Sequence, residues 1–289
     1  MSRDISLEDI KKFWPKEAPD INNVSKYVFK YKNDKIVIKC GGNVLIDPGL
    51  FKNFIEEVVI LNQLGLSTII VHGGGPRIKD KLEELNIEST FIRGLRVTNE
   101  KIINIVEEVL IEFNKEIVNA LNNKSCKACS ITTKECNVIT VKPERKELGF
   151  VGIPEKIKVK FLNQVTDEKT IPVLAPMGLD EDNNPYNINA DTAAGAIAKA
   201  LNSRRLLLMT NVEGVYDKEK KLLPEITSDQ AIRMIEDDTV TSGMIPKINT
   251  CIDAVKNGVR GVVIIDGRKP HSILNEIFSD KGAGTLIRK

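Results

Sequence analysis

The sequence predicts an α/β fold, a mainly parallel central sheet covered by helices on both faces. Two observations predict it. Short apolar runs rich in β-branched residues alternate with longer stretches of helical periodicity, the order that builds parallel strands through helical crossovers. The runs are bounded by glycine or proline and are apolar throughout, as strands buried on both faces are.

The strand-like runs are KIVIKC (35–40), STIIVH (67–72), ACSITT (128–133), NVITVK (137–142), IPVLAP (171–176), RLLLMT (205–210) and GVVIID (261–266). Helical spacing covers 48–65, stopped by Gly65, and 99–122, with Thr98 or Asn99 as its cap. A small-residue helix over 191–202 suits tight packing on a sheet, and a fourth runs over 246–258 to Gly258. The charged, Gly- and Pro-punctuated stretch 141–159 breaks the alternation and reads as a β-hairpin or flap. Residues 1–34 stand apart: around 18–32 an amphipathic helix places Ile21, Val24, Val28 and Tyr31 roughly on one face. It is free to dock on its own domain or on a neighbouring subunit. The chain carries no internal repeat and no low-complexity linker.

Composition narrows the function. The 289 residues suffice for one large domain or two lobes. The net charge is +2 with both signs interspersed, which leaves no electrostatic case for nucleic acid or membrane as the main partner. No apolar run approaches the roughly 20 residues that span a bilayer. The charged start MSRDISLEDIKKFW lacks a signal core, so a cytoplasmic protein is expected. Cysteines stand at 40, 126, 129, 136 and 251. Cys126 and Cys129 have CxxC spacing, but a zinc site needs about four ligands. The two histidines, His72 and His271, belong to other motifs. No metal site is expected, and the thiols read as structural.

Two strands end in glycines. VIKCGG places Lys39 at the lip of Gly41–Gly42, and IIVHGGG ends in Gly73–Gly75. Ligands of parallel sheets bind at carboxyl ends of strands. Glycines there let backbone N–H groups approach an anion, and a following helix adds its dipole. A tight turn alone would also use such glycines; two breaks with a lysine favour an oxyanion cradle. Neither is GxxxxGK[ST], and GGGPRI is not GxGxxG.

Charged residues sit at similar boundaries. RGLRVTNE puts Arg93 and Arg96 before a helix cap, where an Arg fork suits a carboxylate. PYNINAD puts Asn187, Asn189 and Asp191 where a helix begins; Asp191 is a natural N-cap and could equally orient a lysine. TNVEGVYD (210–217) forms a polar turn around Gly214, and TSGMIPK carries Lys247 on a helix after a Ser-Gly turn.

Taken together, IKCGG, VHGGGPRI, RGLRVT, ELGFVG, YNINADTAAGAIA, TNVEGVYD and GMIPK resemble the amino acid kinase family in order and spacing, from about Lys35 to the C-terminus. RGLRVT with NINAD points to the branch that acts on N-acetyl-L-glutamate. The resemblance implies a three-layer αβα sandwich with an added N-terminal helix. It divides the chain into a helical extension (1–34), a substrate lobe (35–203) and a nucleotide lobe (204–289). It implies that ATP phosphorylates the side-chain carboxylate of N-acetyl-L-glutamate, a step of arginine synthesis. Lys39 and Lys247 would meet the transferring phosphoryl group from opposite sides, with Asp191 holding both. Gly74, Gly75, Arg96, Asn187 and Asn189 would bind the substrate. Gly41, Gly42, Asn211, Gly214, Tyr216, Gly243 and Met244 would surround ATP, with Mg²⁺ carried mainly by its phosphates. One departure is ITTKECN (131–137), where the family has a glycine-containing turn; Lys134 and Glu135 remain but the glycines do not.

The chain ends resemble the arginine-inhibited members. The tail 267–287 alone would read as an amphipathic helix (270–279) and an edge strand. With the N-terminal helix it implies a site for L-arginine lined by Tyr27, His271, Glu276, Gly282 and Gly284, in dimers interlaced as a hexamer. Two other readings stand beside this one: a kinase of another carboxylate, such as carrier-linked aminoadipate or glutamate, and an inactive arginine sensor. Retention of Lys39, Asp191 and Lys247 argues against the sensor.

Overall fold

The computed structural model describes residues 7–240 and 243–289. Ser242 of the expected Ser-Gly turn and the first six residues of the extension lie outside the described residues. The helices are α1 (Leu7–Lys11), α2 (Val24–Tyr31), α3 (Pro48–Gln63), α4 (Gly75–Glu84), α5 (Glu100–Asn122), α6 (Val159–Asp167), α7 (Ala190–Ala200), α8 (Ser228–Glu236), α9 (Ile245–Lys256) and α10 (Ser272–Phe278). The strands of the first half are β1 (Lys35–Cys40), β2 (Ser67–His72), β3 (Phe91–Ile92), β4 (Leu95–Arg96), β5 (Ala128–Ile131), β6 (Ile139–Pro143) and β7 (Gly152–Ile157). Those of the second are β8 (Ile171–Leu174), β9 (Met177–Leu179), β10 (Pro185–Asn187), β11 (Arg205–Thr210), β12 (Val215–Tyr216), β13 (Leu222–Leu223), β14 (Glu225–Thr227), β15 (Val262–Asp266) and β16 (Gly284–Arg288).

Eight strands form the main sheet in the order β14-β16-β15-β11-β1-β2-β8-β5. All its pairings are parallel except β15 with β16. The period-2 alternation of side chains divides its core. Ile36, Ile38, Ile70, Leu207 and Ile265 face one side with α2, α3, α5 and α10. Val37, Val71, Leu206, Leu208 and Ile264 face the other with α7 and α9. This is the expected three-layer sandwich.

Three differences from the sequence reading have local causes. The 267–287 segment does not end in an edge strand: β14 pairs outside β16 in parallel register, Ile226 opposite Ile287. The N-terminal helix starts later than 18, because Asp20 after Pro19 accepts from Asn22 N–H and opens a 3₁₀ turn at Ile21–Asn23. Val24 and Tyr31 are fully buried on its inner face, with Ile21 and Val28 partly buried against the same core as expected; Tyr27 joins them, against Phe278 at a ring distance of 6.4 Å. The strand expected over 128–133 stops at Ile131: Thr132 N–H donates to Glu135 O at 2.8 Å and closes a turn. Glu107 of α5 ties that turn down, accepting from Thr133 Oγ1 at 2.5 Å and pairing Lys134 at 3.0 Å.

The flap is the antiparallel pair β6–β7. Among the described residues no helix is long and apolar enough to cross a membrane. Cys126 is buried, Cys129 half-buried and Cys136 exposed, all as free thiols.

Candidate functional site

β1 and β2 are neighbours in register, Cys40 opposite His72, so their glycine turns emerge together. Gly73 N–H donates to Cys40 O at 2.7 Å and binds one turn to the other. Gly42 has φ +65°, and a Cβ there would come within 3.0 Å of the Asn211 amide. A Cβ on Gly74 would collide with Leu110. Gly42 requires glycine for conformation as well as space, and Gly74 for space alone.

Lys39, Gly41, Gly42 and Gly73–Gly75 border a cavity of about 240 Å³. Its other walls carry Phe91, Arg96, Asn187 and Asn189. The first turns of α4 and α7 meet there, so two helix dipoles present positive ends to one space.

Arg96 is buried in the β3–β4 hairpin wall. Its guanidinium donates to Gly75 O at 3.2 Å and to Ser89 Oγ, and it lies 4.8 Å over the Phe91 ring. Burial lowers its pKa, and among the described residues no acidic neighbour offsets it. A buried guanidinium without a counter-charge, bordering a cavity, is suited to a ligand carboxylate. Arg93 does otherwise: it is exposed in the hairpin turn at φ +51°.

Three separate sequence motifs converge on this wall. Thr98 N–H donates to Leu148 O at 2.9 Å, and Phe150 N–H to Thr98 O at 2.7 Å. Asn187 N–H donates to Phe150 O at 2.9 Å. RGLRVT, ELGFVG and NINAD thereby form one backbone mesh.

Lys39, which borders the cavity, shares the Asp191 carboxylate with Lys247. Lys39 Nζ of β1 lies 3.0 Å from Asp191 Oδ1, and Lys247 Nζ of α9 lies 2.5 Å from Oδ2. All three side chains are mostly shielded. Burial would raise the Asp191 carboxyl, but the charges and hydrogen bonds of Lys39 and Lys247 outweigh it and hold it well below the usual carboxylate range. The trio carries a net charge of about +1 at neutral pH. Asp191 is not the N-cap of α7. Asn189 is, its Oδ1 accepting from Asp191 N–H at 2.9 Å and Thr192 N–H at 3.1 Å. That releases the Asp191 carboxylate for the lysines, while Asn189 commits its own carbonyl oxygen to the cap.

The residues assigned to ATP are less closely drawn together. Asn211 stands beside Gly42, and Met244 and Gly243 precede α9. Gly214 is enclosed, since a Cβ there would strike Thr285. Tyr216 is exposed on the β12–β13 hairpin.

The residues assigned to arginine separate. Tyr27, Gly282 and Gly284 border a cavity of about 570 Å³ between α2 and the 269–284 segment. His271 borders a different cavity, of about 350 Å³, with Phe13 and Glu57. Glu276 is buried, accepting from Ala283 N–H at 3.0 Å and lying 4.0 Å from Arg205. The residues of the larger cavity that sequence reasoning missed include Asp280, which ion-pairs with Lys26 at 3.3 Å. Burial and a hydrogen bond to Asp280 push Tyr27 up to about 12. Missed beside Arg96 are its partners Ser89 and Phe91. The polar Ser89 and apolar Phe91 beside RGLRVT were the available signal.

The model of the amino acid kinase family matches residues 34–266. The acetylglutamate kinase of Pelagibacter ubique is 57% identical over 282 residues, covering 98% of both chains. That of Afipia carboxidovorans is 43% identical over 300 residues, covering 99% of each. A solved structure from Streptococcus mutans has 31% identity and a TM-score of 0.76, covering 88% of this chain and 98% of that one.

Proposed function

Because this chain belongs to the amino acid kinase family, and within it stands with the acetylglutamate kinases, we propose a function for the Lys39–Asp191–Lys247 site. It transfers the γ-phosphoryl group of ATP to the side-chain carboxylate of N-acetyl-L-glutamate. The products are the acyl phosphate and ADP. The observation that carries the reading is two lysines, from β1 and from α9, held on one carboxylate beside a cavity with a buried, uncompensated arginine.

A substrate carboxylate oxygen attacks the γ-phosphorus, and the bond to the β,γ-bridging oxygen breaks. The nucleophile is already ionised, so no general base is required. Both reactants are anions; the work is positioning and charge neutralisation. Arg96 binds the α-carboxylate, and Asn187 the acetamido group. Lys39 contacts the phosphoryl oxygens from the substrate side and Lys247 from the ATP side. Asp191 carries no proton and spaces the two ammonium groups. Gly41, Gly42, Gly74 and Gly75 present N–H groups to the charge that develops. Asn211, Gly214, Tyr216, Gly243 and Met244 surround the nucleotide in the 204–289 lobe, and 35–203 holds the acceptor. Among the described residues no group of three or more His, Cys, Asp or Glu could hold a metal ion, and Asp191 is engaged by lysines. Mg²⁺ therefore fits as an ion carried on the ATP phosphates, whose charge it neutralises when bound.

L-Arginine is assigned to the 570 Å³ cavity, where Tyr27 and Asp280 offer acceptors for a guanidinium. The outer face of α2 carries Phe29, 78% exposed, which supports burial of this extension against another subunit in a hexamer. A cytoplasmic location suits a biosynthetic role.

The test is ADP release with Mg-ATP and N-acetyl-L-glutamate, with and without L-arginine. Turnover supports the reaction, and suppression by arginine supports the regulatory assignment. No turnover from folded protein that binds ATP overturns the substrate and favours a carrier-linked acceptor.

A further inference from the structure

We propose that His72 is a positioning residue: with Asn114 it pins the Gly73–Gly74 peptide so that the Gly74 N–H faces the substrate cavity as a fixed donor. The inference rests on the phosphoryl-transfer reading of this cavity.

His72 ends β2 and is fully buried. Its Nδ1 lies 2.8 Å from Gly73 O, and its Nε2 lies 3.2 Å from Asn114 Nδ2. Asn114, fully buried on α5, also donates through Nδ2 to Val173 O at 2.9 Å. These contacts fix the proton. A carbonyl only accepts, so Nδ1 carries the hydrogen and donates to Gly73 O. Nε2 then accepts from the Asn114 amide, whose orientation is set by the Val173 carbonyl. A second proton on Nε2 would face an N–H donor, and burial already pulls the imidazole down to about 4. His72 stays neutral at working pH and supplies no proton to the reaction.

The consequence falls on the next peptide. In a planar trans peptide, C=O and N–H point in opposite directions. Gly73 O is drawn toward the buried ring, so Gly74 N–H points the other way, and both glycines border the cavity. Between two glycines this peptide has more freedom to rotate than any other pair would give it. A donor aimed at developing charge is effective only when its orientation precedes the reaction. Phe113 meets the imidazole edge-on at 5.2 Å, and Arg77 lies 3.9 Å over Phe113, which keeps the ring from turning.

The experiment compares His72→Phe, which keeps a buried ring but loses the donor, with His72→Asn, whose Nδ2 reaches the place of Nδ1. Initial rates with N-acetyl-L-glutamate and Mg-ATP are taken well below each variant's melting temperature. His72→Phe should lower kcat by about 10- to 100-fold with KM for ATP unchanged. His72→Asn should restore kcat to within about threefold of the parent, because one neutral hydrogen bond is what is lost and regained. Asn114→Ala, which leaves His72 in place but frees its tautomer, should fall between them and gives the same readout should a His72 variant not fold. Parental kcat in His72→Phe or in Asn114→Ala overturns the inference. So do equal losses in His72→Phe and His72→Asn that track melting temperature. Absence of turnover in the parent protein removes the phosphoryl-transfer reading itself, and is distinguishable from either result.

Discussion

Two cavities of this molecule are built in opposite ways. The smaller one, about 240 Å³, is walled by the ends of central parallel strands and the first turns of two helices. The polar groups on its walls are already bonded: Lys39 to Asp191, Arg96 to Gly75 and Ser89, one glycine turn to the other. The larger, about 570 Å³, is walled by the N-terminal helix and the C-terminal segment, regions that meet only through tertiary packing. Its ion pair, Lys26–Asp280, is mostly exposed to water, where such pairs contribute little. Rigidity belongs where charge must be met in a fixed geometry. Adaptability would suit the larger cavity if, as proposed, arginine binding there changes the relation between two chain ends.

The comparison breaks first if the lysine pair proves dispensable. Lys39→Met and Lys247→Met should each lower kcat by about 10² to 10³, the size expected for removing one donor to developing charge. Thermal unfolding should show both variants folded. A loss under tenfold would place the chemistry elsewhere.

Next in size is Arg96→Leu. A charge-assisted hydrogen bond contributes about 1.5–3 kcal/mol, so KM for N-acetyl-L-glutamate should rise about 10- to 100-fold. KM for ATP should hold, as steady-state kinetics with each substrate varied would reveal. A kcat loss with unchanged KM would mean that Arg96 meets the phosphoryl group instead.

The larger cavity should behave differently. Tyr27→Ala should leave turnover without arginine within about twofold and weaken arginine inhibition about tenfold or more, as one buried contact of about 1.4 kcal/mol would. Inhibition curves decide it, and an unchanged curve would detach the arginine site from this cavity.

The smallest effect concerns Glu57 on α3. Burial lifts its carboxyl to about 8, against the opposing backbone N–H bonds of Leu274 and Ile273. The folded state holds a proton that the unfolded chain releases near 4.3. Stability is therefore full below that value and declines as pH rises through about 8. Glu57→Gln should flatten the decline in melting temperature between pH 5 and about 9. Asp191, whose carboxyl is depressed, has the opposite sign: its stabilisation persists down to acid well below that window.

The same division marks what was legible in the sequence. The strands at 35–40, 67–72 and 205–210 have the bounds that the apolar runs predict, because continuous β-branched runs leave few alternatives. Asn99 caps α5 as one of the two expected residues. The β3–β4 hairpin was not legible, because two-residue strands have no periodicity to read. Helix α4 begins at Gly75–Pro76, two residues that punctuate rather than propagate a helix, and it was missed. Within the site, Lys39, Asp191 and Lys247 come from positions far apart in sequence. Their meeting follows from β1 standing beside β11 and from α7 packing near α9, and only the family resemblance pointed to it. His271 and Glu276 lie within one short stretch yet face different surroundings: His271 stands at φ +53° ahead of α10, while Glu276 lies on the buried side of that helix.

The most direct test of the central claim is hydroxylamine trapping of the acyl phosphate during turnover with Mg-ATP and N-acetyl-L-glutamate. Hydroxamate should form in equal amount to ADP in the parent protein and fall together with ADP in Lys39→Met. ADP released without hydroxamate would mean that the phosphoryl group goes to another acceptor, and would contradict the assignment of this site.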